Sequence, residues 1–254
     1  MLLSIPLKSA PLKMEHSMDL SSKKILITGA AGGLGSALAI DCASHGAHLI
    51  LLDKDREGLG ELSDKITAMD LPSPGLYPLD LAGVGIAEFD ELSDVIESQL
   101  GGLDALIHCA VEFDGLHPID QLEPAQWLKS MQVNVNAPWL LSRVSLPLLK
   151  ASPQARLFFM LEDIEKVSGA YWGVYGTGKT ALAGLVRQFQ EELSETTVVV
   201  RGIDPGPMRT GLRAKAYHAE NPCELPEPAV AARKIARMLS VDLTTQDVLV
   251  CLSD

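Results

Sequence analysis

The sequence predicts a single α/β domain built on a doubly wound, seven-stranded parallel sheet. Three observations predict it. From Lys23 onward, short apolar runs alternate with amphipathic segments, the rhythm of parallel strands joined by crossover helices. A glycine-rich turn, Thr28-Gly29-Ala30-Ala31-Gly32-Gly33-Leu34-Gly35, joins the first apolar run to the first helical pattern. The chain has 254 residues, 47% of them hydrophobic, which is enough for the core of one large domain.

The elements follow in order. Lys24–Thr28 and His48–Asp53 are continuous apolar runs of strand length, as a sheet covered on both faces requires. Gly75–Leu79, Leu103–Cys109, Arg156–Leu161, Thr197–Ile203 and Gln246–Leu252 are read as the other five strands on the same ground. Helical periodicity places helices near Gly33–His45, Arg56–Met69, Ile86–Leu100, Pro124–Lys150, Gly173–Glu195 and Pro228–Leu239. Pro138 and Pro147 are expected to bend or shorten the fourth. Residues 1–22 lie ahead of the pattern and are read as a loosely ordered tail, with 23–254 as the domain. This tail lacks the long apolar core of a secretory signal.

One stretch breaks the rhythm. Asp204–Glu227 carries Pro205, Gly206, Pro207, Pro222 and Pro226 directly after a strand and reads as a loop. Ligands of open α/β sheets bind beyond the carboxyl ends of the strands, where this segment would lie as a lid.

The charge balance, 21 Lys and Arg against 33 Asp and Glu for a net −12, disfavours a nucleic-acid backbone or an anionic membrane as partner. No apolar run approaches the ~20 residues that span a bilayer. Cys42, Cys109, Cys223 and Cys251 show no ligand-like spacing, so a metal site is not expected. Reduced thiols suit a cytoplasmic protein.

The glycine turn leads from a strand into a helix, so its backbone N–H groups and the positive helix end can face a pyrophosphate. Its spacing is Gly-x-x-x-Gly-x-Gly rather than the commoner Gly-x-Gly-x-x-Gly. Asp53 closes the second strand about twenty residues beyond the glycines, where a carboxylate accepts both adenosine ribose hydroxyls. It would repel the extra phosphate of NADP and so points to NAD, although Lys54 stands beside it. Tyr175 and Lys179 stand four apart on one helix face, roughly 6 Å apart along the axis. An ammonium so placed is expected to make the phenol more acidic.

These residues resemble the short-chain dehydrogenase/reductases, including the 3-oxoacyl-carrier-protein reductase-like members, from about Lys23 to the C-terminus. Thr28–Gly35 match the family's TGxxxGxG turn, with Gly29, Gly33, Leu34 and Gly35 at the cofactor. Asp80 and Leu81 match its adenine contacts, and Cys109-Ala110-Val111 stand where Asn-Ala-Gly is common, with Val111 expected to narrow the site. Asn134 matches the helix asparagine, and Tyr175 with Lys179 matches YxxxK. Pro205-Gly206-Pro207-Met208-Arg209-Thr210 match the PGxxxT turn at the nicotinamide, to which Pro205, Gly206, Met208 and Thr210 would contribute.

The resemblance implies a Rossmann-type enzyme interconverting a hydroxyl and a carbonyl group on a small molecule. Tyr175 would be its general acid/base, Lys179 would bind the nicotinamide ribose, and Asn134 would hold a water. It also implies a homodimer or homotetramer paired through Val133–Leu149 and Ala181–Leu193. The departure is at Glu162, thirteen residues before Tyr175, where the family usually has a serine that binds the substrate oxygen. Three readings follow: a protonated Glu162 acting as donor, a substrate whose own positive group pairs with the carboxylate, or a chain that binds NAD and catalyses little, working as a binding or sensor subunit. Ionised, Glu162 would raise the tyrosine pKa.

A rival reading shares the helix, since Gly173–Thr180 also satisfies GxxxxGK[ST]. A phosphate loop must leave a strand directly, and eleven residues, four of them charged, separate Gly173 from Leu161. Trp172, Met208 and Leu212 are expected to line a substrate pocket.

Overall fold

The computed structural model describes residues 18–243 and 247–252. Within them, seven parallel strands form one sheet in the order β3-β2-β1-β4-β5-β6-β7. They are β1 (Lys24–Thr28), β2 (His48–Asp53), β3 (Gly75–Pro78), β4 (Ala105–His108), β5 (Ala155–Met160), β6 (Val198–Asp204) and β7 (Leu249–Cys251). The chain reverses its winding between β1 and β4, which pair in register from Ile25 with Ala105 to Thr28 with His108. A crevice opens at such a reversal, beyond the carboxyl ends of the strands.

The helices bury both faces of the sheet, which is why the central strands read as unbroken apolar runs. On one face lie α1 (Gly33–Ser44), α2 (Arg56–Thr67) and α9 (Pro228–Ser240), whose Leu38, Leu59 and Ile235 share a core with Ile25 and Ile107. On the other lie α3 (Ile86–Leu100), α5 (Ala137–Ala151) and α7 (Gly173–Glu192), with Phe89, Leu141 and Val186 against Leu26 and Phe159. No described helix is long and apolar enough to cross a membrane.

The expected fourth helix is two helices. Between α4 (Pro124–Met131) and α5, Gln132–Asn136 form a π-helical turn in which the Ala137 N–H donates to the Gln132 carbonyl. Pro138 supplies the reason. It has no N–H for the carbonyl of Asn134 four residues back, and its ring crowds that carbonyl, so the helix widens there. Pro147 stays inside α5.

Three other expectations change. Leu20 is fully buried and its N–H donates to the His45 carbonyl, so the end of the expected tail belongs to the fold; residues 1–17 lie outside the described residues. The last strand is Leu249–Cys251, shorter than expected at both ends, and Gln246 lies outside the described residues. The lid is not all loop, for it contains α8 (Gly211–Ala216), capped by the Thr210 hydroxyl, which accepts the Arg213 N–H at 3.2 Å. A one-turn α6 (Ile164–Val167) also follows β5.

Candidate active site

The glycine turn is tight because its neighbours leave no room for side chains. Gly29 has φ +65°, and a Cβ on it would stand 2.6 Å from the Ala110 backbone. A Cβ on Gly33 would stand 2.9 Å from the Thr210 methyl, so the turn and the lid meet there. The N-terminus of α1 has no side-chain cap and no acidic residue in its first turn. Its N–H groups remain open to an anion, as a pyrophosphate requires. Gly29, Gly33, Leu34 and Gly35 line a cavity of about 410 Å³ with Met160, Glu162, Tyr175, Lys179, Pro205, Gly206, Met208 and Thr210.

A second hollow of about 130 Å³ adjoins it, lined by Asp53, Asp80, Leu81, Cys109 and Ala110. Asp53 is fixed at the end of β2: Oδ2 accepts the Ala31 N–H and Oδ1 the Asp55 N–H, each at 3.0 Å. Asp80 is held likewise by the Ala82 N–H at 3.0 Å, and Ala110 donates to the Thr28 hydroxyl at 3.2 Å. Burial pushes the Cys109 thiol up to about 12, so it is no reactive thiolate. All four cysteines are free, and the described residues contain no cluster of three metal-ligating side chains.

At the reacting end α7 presents Tyr175 and Lys179 from one face, as the spacing predicts. Lys179 is buried and its ammonium donates to the Met160 carbonyl at the end of β5, at 2.8 Å. Its Nζ stands 5.5 Å from the centre of the Tyr175 ring. Burial lowers the Lys179 pKa, against the pull of Glu162. The Tyr175 hydroxyl donates to Glu162 Oε2 at 2.8 Å.

The expected acidification of the phenol is not found. Burial and then the Glu162 charge push its pKa well above 10, because a buried phenolate beside a carboxylate is doubly disfavoured. Burial also raises the Glu162 pKa, with the Tyr175 hydrogen bond and Lys179 pulling the other way.

Asn134 sits at the π-helical turn, with its side chain clamped across the Glu112 backbone. Its Oδ1 accepts the Glu112 N–H at 2.9 Å, and its Nδ2 donates to the Glu112 carbonyl at 2.8 Å and to Ser130 Oγ at 2.9 Å. The side chain is thereby occupied, and Asn134 meets α7 through Gly178, where a Cβ would lie 3.4 Å from Asn134 Cβ.

Residues the motifs did not single out complete the cavity. Phe113 and Tyr217 join Trp172 and Tyr175 in an aromatic wall, with Val111 and Leu212 packed against it. Glu112 bridges Lys54 at 3.4 Å and Lys129 at 2.7 Å. Arg213 clasps Glu220 through two hydrogen bonds of 2.6 and 2.8 Å within the lid. Aromatic residues just after β4 and inside the lid were the available signal for the wall.

Gly173–Thr180 lies wholly within α7, where Thr180 Oγ1 donates to the Gly176 carbonyl and Gly176 packs on the Val167 carbonyl. From Gly176 onward the backbone N–H groups are used within the helix, and the segment follows α6 rather than a strand, so it lacks the strand-to-helix loop that rings a phosphate.

Fold and cavity together define a doubly wound nucleotide-dependent oxidoreductase with a tyrosine–lysine pair on one helix. Residues 23–221 match the family model for the short chain dehydrogenases, and the chain belongs to that family. It is 32% identical over 210 residues to the uncharacterized oxidoreductase YciK of Escherichia coli K12, covering 83% of each chain. A chain described as a short chain dehydrogenase of Pseudomonas syringae superposes with a TM-score of 0.87 at 33% identity, over 98% of this chain and 99% of the other. One from Shigella flexneri 2a, solved in complex with NADP, has a TM-score of 0.88 at 29% identity, over 92% and 98%.

Proposed function

We propose that this chain is an NAD(H)-dependent oxidoreductase that interconverts a hydroxyl and a carbonyl group on a small molecule, with Tyr175 as general acid/base. The observation that carries the reading is the shared cavity: the uncapped glycine turn, the tyrosine–lysine pair and the lid all line it. The nicotinamide supplies or accepts a hydride when bound. In the oxidative direction the Tyr175 oxygen would take the substrate's hydroxyl proton as its own hydrogen passes to Glu162, to which it donates, and in the reductive direction the Tyr175 hydroxyl would give its proton to the substrate oxygen. Lys179 holds positive charge beside the phenol and is placed to bind the nicotinamide ribose, with Asn134 fixing α7 behind it. The lid, anchored at Gly33 through Thr210, excludes water.

NAD is favoured over NADP by Asp53, whose anchored carboxylate faces the hollow and would repel a phosphate. The NADP-bound Shigella relative and the adjacent Lys54 favour the second reading, in which NADP binds. Thermal shift with NADH, NADPH and Mg-ATP at equal concentration decides between them. Ligand at a hundredfold above its dissociation constant adds roughly 2.7 kcal/mol. Stabilisation by NADH alone supports the first reading, and no shift with either dinucleotide removes both.

A catalytically weak sensor subunit is supported by one observation, the carboxylate that holds the catalytic hydroxyl and raises its pKa. Turnover of a panel of alcohols and ketones tests it. A homodimer or homotetramer belongs to the same proposal: Val135, Trp139 and Leu185 line a shallow hollow shared by α5 and α7, and Trp139 is 45% exposed. Light scattering after gel filtration measures the assembly. The free thiols support a cytoplasmic setting.

A further inference from the structure

The reacting end of the cavity presents an acceptor where a carbonyl substrate needs a donor. Among the described residues Tyr175 is the one hydrogen-bond donor to Glu162. The charged groups acting on Glu162 are Lys179, Asp204 and Arg213. Among the described residues Lys179 donates to the Met160 carbonyl at 2.8 Å and Arg213 to Glu220 at 2.6 and 2.8 Å, and neither donates to Glu162. Asp204 is a second buried carboxylate and accepts the Gly206 N–H at 2.9 Å.

The same cavity has an aromatic wall. Trp172 has its ring centre 5.8 Å from that of Phe113, 5.7 Å from Tyr175 and 6.0 Å from Tyr217, and all four line the cavity with Glu162. Aromatic faces attract cations whose centres come within about 6 Å. Tyr217 already does so, with the Arg213 guanidinium 3.6 Å from its ring centre.

We propose that the substrate is a vicinal amino alcohol, or the amino ketone formed by its oxidation, with its ammonium paired to Glu162 and its oxygen at Tyr175. The inference rests on the oxidoreductase reading and names the substrate class for it. The two protein oxygens stand 2.8 Å apart. A vicinal amino alcohol in its gauche form sets nitrogen and oxygen a hydrogen-bond length apart, so one molecule meets both. The ammonium brings three donors to a carboxylate that has one. A neutral ketone would instead set its lone pairs beside the carboxylate's and leave that acceptor unfilled. Lys215 lines the same cavity, so an anion is the competing ligand.

The test uses the full chain saturated with NADH and three probes that differ in one group: 2-amino-1-phenylethanol, 1-phenylpropan-1-ol with methyl in place of ammonium, and mandelate with carboxylate. Titration calorimetry reads binding, and NADH formation from NAD+ reads kcat/KM. The ammonium probe is expected to bind about tenfold or more tightly than its methyl isostere, the scale of one charged hydrogen bond. Glu162→Gln is expected to bring that ratio close to one, with an NADH titration confirming that the variant is folded. If the variant does not fold, the wild-type ratio decides alone. Equal binding of the ammonium and methyl probes, a preference for mandelate, or no binding of any probe overturns the proposal. Failure to bind either NADH or NADPH overturns the oxidoreductase reading itself, whereas dinucleotide binding with turnover of the methyl probe alone overturns only the substrate class.

Discussion

Tyr175 and Glu162, thirteen residues apart in sequence, meet through one 2.8 Å hydrogen bond that joins α7 to the end of β5. The phenol donates and the carboxylate accepts. The contact occupies the hydrogen that a substrate carbonyl would receive, and it places a negative charge where a phenolate would form. On the proposed role of Tyr175, turnover would need the carboxylate protonated, drawn away or neutralised.

Tyr175→Phe is expected to abolish that chemistry while leaving cofactor affinity in place. General acid/base groups contribute about 10²- to 10⁴-fold to rate. The glycine turn and the Asp53 hollow contain no atom of Tyr175. The expected result is a fall of that size in kcat with NADH dissociation unchanged within about threefold, read by fluorescence titration and steady-state kinetics. A variant with the parent kcat would remove the assigned role.

Glu162→Gln is expected to stabilise the fold at neutral pH. The carboxyl pKa is raised in the fold, chiefly by burial, so over the window above its ordinary value the folded chain holds more protons than the unfolded one. Stability then falls as pH rises through that window, and the full cost of the charge is present above the raised value. Glutamine keeps an oxygen for the Tyr175 hydroxyl and carries no charge. Each 1 kcal/mol gained would raise the midpoint by roughly 2–4 °C for a domain of this size. The gain should shrink as pH falls towards the ordinary carboxyl range and vanish below it. Calorimetry across pH checks this, and a variant less stable than the parent at pH 8 would show that the attraction of Lys179 and the phenol outweighs burial.

Asp53→Asn tests cofactor choice at a single group. The amide can keep an oxygen for the Ala31 N–H while losing the charge that opposes a phosphate. The ratio of NADPH to NADH dissociation constants is expected to drop about tenfold, or roughly 1.4 kcal/mol. Titration of both dinucleotides against parent and variant measures it. An unchanged ratio would assign selectivity elsewhere, with Lys54 as the first alternative.

The sheet was legible because each of its central strands is buried on both faces and reads as an apolar run, and the glycine turn, Asp53 and Tyr175–Lys179 carry their spacing in the chain. What stayed hidden depends on contacts between distant segments. Both directions of the Tyr175 shift were open in the sequence, lowered by Lys179 or raised by an ionised Glu162, and the choice between them needed burial and the side chain of Glu162 placed against the phenol. The π-helical turn at Asn134 followed from Pro138, a signal present in sequence but read only as a bend. The lid helix was masked by flanking prolines and glycines, although Thr210 is a ready cap for it. Glu112 gave no sign because its role is set by Lys54, Lys129 and Asn134, which converge only in the fold.

Gly176→Ala separates the two meanings of the Gly173–Thr180 segment. In a phosphate loop an added methyl would act on nucleotide binding; in this fold it meets protein. A Cβ at Gly176 overlaps the Val167 carbonyl, with the side chain of Trp172 3.2 Å away. The obstacle is backbone in the last residue of α6, so α7 must shift as a whole, and with it Tyr175. Overpacking of this kind costs typically 1–3 kcal/mol. The midpoint is expected to fall by roughly 2–4 °C per kcal/mol, with kcat lowered through the displaced phenol and NADH affinity reduced less. Gly184→Ala on the same helix, where an added Cβ meets nothing within 4 Å, is the control. It removes a helix-interior glycine and should stabilise by up to about 1 kcal/mol. Equal effects of the two substitutions would mean that α7 does not pack on α6 as described.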